Sequence, residues 1–108
     1  MNVRLYLLQR ATAAIMAPLV LAHLVLIYYA TSRGLSAADI LGRTRGSLVW
    51  GAFYALFVLC AAVHGAIGVR AVVGEWTPLR GRALDVAMWA VGLLLAVLGL
   101  RAVAAVVL

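Results

Sequence analysis

A chain of 108 residues that is 68% apolar and 11% charged holds more apolar surface than a soluble fold of its size can bury, because small domains leave a large share of their area in contact with solvent. Its net charge of +6 rests on nine arginines and no lysine, set singly or in short clusters between apolar runs; this excludes a basic nucleic-acid-binding face and suits side chains that hold helix ends at anionic headgroups. The single cysteine, Cys60, lies inside an apolar run, so no internal disulfide, covalent haem-attachment motif or iron–sulfur cluster of its own is expected.

The apolar run over residues 11–30 predicts a first membrane helix, since about 20 residues cross a hydrocarbon core of about 30 Å. It is too long for the apolar region of a typical signal peptide and carries no clear small-x-small cleavage site. Pro18 lies inside it, tolerable where neighbouring helices satisfy the freed carbonyl. Residues 31–46 read as a loop, in which Ser36 and Asp39 have the spacing of a helix-capping pair and predict a short surface helix. A second span covers residues 47–73. Pro78 and Gly81 break the polar stretch that follows. A third span covers residues 84–107, with Arg101 late enough to reach the far surface. The expected fold class is all-α: one integral membrane domain over residues 1–108, with three transmembrane helices. Tyr6, Trp76 and Trp89 near one interface, and Tyr28, Tyr29 and Trp50 near the other, make the aromatic belts of such a layout. Arg4, Arg10, Arg70, Arg80 and Arg82 on the N-terminal side outnumber Arg33, Arg43, Arg45 and Arg101 on the other, which biases the N-terminus toward the cytoplasm.

Ionisable groups at membrane depth are costly, so each is a functional candidate. His64 is followed by Gly65 and Gly68 and preceded by Ala61 and Ala62. That small-residue stretch suits either a close helix–helix contact or a flat cofactor ligated by the imidazole. If Arg10 and Trp76 share an interface, His23 and His64 lie roughly 20 and 18 Å from it at 1.5 Å per residue. At such similar depth they could ligate one haem from opposite faces, serve different sites, or hydrogen-bond to neighbouring helices. Arg10, Glu75 and Trp76, with Tyr6 and Thr12, would then gather at that interface. They suit the polar headgroup of a redox-active ring, and are equally what ordinary helix ends contain.

The stretch His64-Gly-Ala-Ile-Gly68-Val-Arg70, with Glu75, Trp76 and Pro78 beyond it, resembles the second helix of the small membrane anchor (cytochrome b) subunits of succinate dehydrogenase and fumarate reductase. Gln9-Arg10-Ala-Thr12-Ala is similar to the start of their first helix, and the three-span layout matches over nearly the whole chain. The resemblance implies an anchor of a succinate:quinone oxidoreductase, respiratory complex II of the tricarboxylic acid cycle, in a bacterial-type inner membrane. Its implied partners are a flavoprotein, an iron–sulfur subunit, a second membrane anchor and lipids, with no nucleic acid. His64 would be an axial ligand of haem b, with His23 or a partner chain giving the second, and Gly65 and Gly68 beside the ring. Arg10, Thr12, Glu75 and Trp76 would lie at the quinone site, and Arg70 at a haem propionate or a helix end. Glu75 replaces the usual aspartate. Trp76 replaces the usual tyrosine, keeping a hydrogen-bond donor but losing the acceptor. Arg70 favours one kind of small anchor and the Arg-Ala-Thr-Ala start favours the other. With no dinucleotide fingerprint and no cluster cysteines, the chain would leave succinate oxidation to its partners. Two alternatives stand beside this reading: a haem-b anchor of another respiratory dehydrogenase, and a non-redox structural or transport subunit. A transporter should carry an acid at mid-membrane, whereas Asp39, Glu75 and Asp85 sit at or near loops.

Overall fold

The computed structural model describes residues 2–108. It holds four helices: α1 (Val3–Arg33), α2 (Ala37–Thr44), α3 (Leu48–Trp76) and α4 (Arg82–Val107). α1, α3 and α4 are each long and apolar enough to cross a membrane, and the bundle is 48 Å long, close to a bilayer with its headgroup layers at about 40–45 Å. No strand occurs among the described residues.

α1 starts about two turns before the apolar run. The Asn2 side chain accepts the Leu5 N–H at 2.9 Å and caps it, and the residues between are good helix formers. Hydropathy marks where lipid begins, whereas the cap marks where the helix begins. Pro18 is accommodated within a continuous α1, leaving the Ala14 carbonyl without its helical donor. The Gly34 N–H closes the other end on the Ala30 carbonyl at 2.8 Å. Gly34 has φ +152°, and a Cβ there would come within 2.6 Å of the Asp39 carboxylate, so only glycine fits.

Ser36 caps α2 as its spacing from Asp39 predicts. Its hydroxyl oxygen accepts the Asp39 N–H at 3.1 Å, and its hydroxyl donates to the Asp39 carboxylate. The far end of α2 does a second task. The Thr44 hydroxyl donates to the Val106 carbonyl at 2.6 Å and the Gly46 N–H to the Val107 carbonyl at 2.7 Å. Two of the four carbonyls that end α4 thus find partners on the first loop. Ser47 caps α3, accepting the Trp50 N–H at 3.2 Å.

α3 is the central helix. It packs along both α1 and α4, which hardly touch each other. Four of the five buried apolar residues, Cys60, Ala62, Ala66 and Ile67, lie on it. Its seam with α4 pairs a small residue with a larger one at level after level. Gly51 faces Val107, Gly65 faces Leu95, Gly74 faces Leu84 and, reversed, Gly99 on α4 faces Val58, where an added Cβ would overlap the valine. Lipid gives helices no hydrophobic reason to associate, so this close fit and its dispersion contacts hold the pair. Most large apolar side chains on the outer faces, such as Leu21, Val25, Leu93 and Val97, are exposed, as a chain solvated by acyl tails requires.

Candidate functional site

The α1–α3 contact is antiparallel, and its register comes from two pairs. Thr12 Oγ1 lies 3.2 Å from His64 Nδ1, and Gly68 faces the Gln9 amide. Thr12 is buried at 7% exposure. Its hydroxyl donates back to the Leu8 carbonyl at 2.8 Å, a usual bond for threonine inside a helix. His64 and Gln9, Arg10, Ala13 and Ala14 line an open cleft of about 460 Å³ on this face. Ala14 is the residue whose carbonyl Pro18 leaves free. Gln9 Oε1 is buried without a hydrogen-bond partner among the described residues.

A planar ligand that takes an imidazole nitrogen fits this face. Ala13 and Ala14 line it without bulk, and Gly68 stands behind it against the Gln9 amide, where a Cβ would sit 3.6 Å away. The Arg10 guanidinium stands at the rim, stacked over Tyr6 at 5.5 Å from the ring centre. No three His, Cys, Asp or Glu side chains converge among the described residues, so any metal bound by His64 must bring most of its ligands with it, as a porphyrin-held iron does.

Gly65 lies off this face. It points at Leu95 of α4, where an added Cβ would be 3.2 Å away, and it serves helix packing. His23 lies elsewhere as well. Its ring meets Phe57 and Tyr54 edge-on, with centres 5.3 and 6.3 Å apart. From Thr12, level with His64, to His23 is about 16 Å along α1. The expectation that the two histidines share a depth is therefore corrected: it took Arg10 to lie level with Trp76, but α1 begins earlier and slides along α3. One iron cannot accept both rings within this chain. His23 instead borders a cleft of about 690 Å³ with Leu26, Tyr29, Arg43, Trp50 and Tyr54.

The same shift separates the quinone-site candidates. Arg10 lies level with Ala66, about 15 Å along α3 from Trp76. Trp76 is 83% exposed at the helix end. Glu75 lines a cleft of about 370 Å³ with Arg70, Arg80 and Leu84 at that end of the bundle. Arg70 donates from Nε to Asp85 Oδ1 at 3.0 Å, tying α3 to the first turn of α4. Sequence reasoning missed Asp85 as the partner of Arg70 and missed Gln9. Gln9 had entered only as part of the resembling Gln9-Arg10-Ala-Thr12-Ala stretch, although its spacing, one helical turn before Thr12, puts it on the same face.

The family model of the succinate dehydrogenase/fumarate reductase transmembrane subunit matches residues 1–107. No curated protein and no solved structure matches the chain. With three membrane-spanning helices and a family match over almost its whole length, the chain is an integral membrane protein that belongs to the transmembrane subunits of succinate dehydrogenase and fumarate reductase.

Proposed function

We propose that this subunit holds a b-type haem on its α1–α3 face through His64 and helps to build the quinone site of the complex. The observation that carries the reading is the His64 imidazole itself, half-buried, tied at Nδ1 to Thr12 and bordering a flat cleft with Arg10 and Gln9. When bound, such a haem supplies a one-electron redox centre between the partner's clusters and quinone. His64 would hold the iron through Nε2, since Nδ1 is occupied by Thr12. Ala13 and Ala14 leave room for the ring, and the unpaired Gln9 Oε1 can accept a hydrogen bond. Arg10 presents a planar fork of donors, which suits a quinone carbonyl gaining negative charge or a haem propionate. A second protein ligand to such a haem would come from a partner anchor, because His23 lies about 16 Å along α1 from the level of His64. Glu75 and Trp76, which this chain holds apart from Arg10, contribute where that partner packs against the end of α3.

The flavoprotein and iron–sulfur subunits dock at the end of the bundle that carries the N-terminus and the α3–α4 connection. That end faces the cytoplasm of a bacterial-type cell, in keeping with the slight arginine excess there. The expected test result is that His64→Ala in the assembled complex abolishes the b-type signal in a reduced-minus-oxidised spectrum. A full haem content in that variant would refute the assignment.

A further inference from the structure

The hydrogen-bond directions around Thr12 fix the state of the His64 ring. A threonine hydroxyl has one hydrogen and two lone pairs. The shortest contact of Thr12 Oγ1 is to the Leu8 carbonyl at 2.8 Å, and the next is to the Gln9 carbonyl at 3.1 Å. Both are acceptors only, so the single hydroxyl hydrogen is committed within α1. The third contact, His64 Nδ1 at 3.2 Å, can then be a hydrogen bond only if the nitrogen donates. Thr12 is 7% exposed, and membrane depth offers little water to reverse the arrangement.

We infer that Thr12 is a positioning residue: it accepts the Nδ1–H of His64, selects the tautomer whose Nε2 carries the free lone pair, and holds the ring plane for ligation. This rests on the haem reading above and assigns Thr12 a role through His64, rather than the quinone contact that family resemblance suggests for it. A ring nitrogen bonded to an outer acceptor gains ligand basicity, and losing such a partner weakens metal binding by about 10–100-fold. The bond also ties α1 to α3 beside the ligand, so the ring cannot turn without breaking it.

The experiment uses the complete complex with Thr12→Ser, Thr12→Val and Thr12→Ala, and reads three quantities: haem retained after dilution in detergent, the low-spin electron paramagnetic resonance g-values, and the haem midpoint potential. Thr12→Ser keeps the acceptor and should match the native complex in all three. Thr12→Val keeps the shape but loses the acceptor. It should lose haem about 10–100-fold more readily, broaden the g-values as the ring is freed, and raise the potential as the imidazole donates less charge to ferric iron. Thr12→Ala should follow Thr12→Val, and it decides the matter where the valine complex fails to assemble. Native g-values and potential in Thr12→Val or Thr12→Ala would overturn the proposal. So would a shift in Thr12→Ser as large as that in Thr12→Val, since the side chain's methyl packing would then be the cause. Failure of the underlying haem reading looks different: His64→Ala would keep its haem.

Discussion

Arg70 and Asp85 show how little a visible ion pair contributes at a membrane surface. Their side chains are 20% and 54% exposed, so water and salt screen the attraction, and exposed pairs are worth about 0–1 kcal/mol. Asp85→Asn should therefore lower the thermal stability of the detergent-solubilised complex by at most a few degrees while leaving its haem spectrum unchanged. A lost spectrum would show that Arg70 needs Asp85 to be held in place for the cofactor. Arg70 and Asp85 are both conspicuous in the sequence, but nothing in their spacing says that a five-residue connection brings them to 3.0 Å. His64 was legible because an imidazole among glycines and alanines has few ordinary uses at membrane depth. Its partner Thr12 was visible only as a quinone-site candidate, not as a partner of His64, because a hydroxyl in an apolar helix usually bonds back to its own backbone.

At the scale of the element, the α3–α4 seam makes the strongest demand on sequence. Gly99 meets Val58 so closely that any side chain there forces the helices apart. Gly99→Leu should destabilise the pair by about 1–3 kcal/mol, the usual cost of overpacking. Val58→Ala in the same chain should restore part of it. Retention of the assembled complex through gel filtration at rising detergent concentration would measure both. A single variant as stable as the native chain would mean that the seam is looser than its geometry. The helices were readable from hydropathy to within a turn at most ends, because twenty apolar residues have one cheap destination. The start of α1 was not, because Arg4, Gln9 and Arg10 interrupt the apolar run while the Asn2 cap starts the helix before them. That misplaced end propagated: every depth measured from it was shifted, which put His23 level with His64 and Arg10 level with Trp76.

On the scale of the whole molecule, three spans put the N-terminus and the α3–α4 connection at one end and the α1–α3 connection with the end of α4 at the other. The only cysteine is buried, so new ones report cleanly. A cysteine at Ser32 should react with an impermeant maleimide from outside intact cells, and one at Leu79 only after lysis. The opposite pattern would reverse the orientation and move the docking end of the soluble subunits with it. Hydropathy could foretell that there are two ends, but not that α1 and α4 stay apart. That separation comes from α3 presenting small residues to α4 on one side and His64 and Gly68 to α1 on another. The bundle is therefore open-sided rather than closed, and the partner anchor proposed above would pack against that open side.

The bond between the first loop and α4 has a consequence for how the protein is made. Thr44 and Gly46 leave the ribosome well before Val106 and Val107, yet their hydrogen bonds join the two. The loop therefore stays unlatched until the last span has crossed the bilayer. A chain whose third span stalls leaves Thr44 and Gly46 without these partners, whereas a completed chain holds both. Fastening therefore comes last and from the other end of the chain.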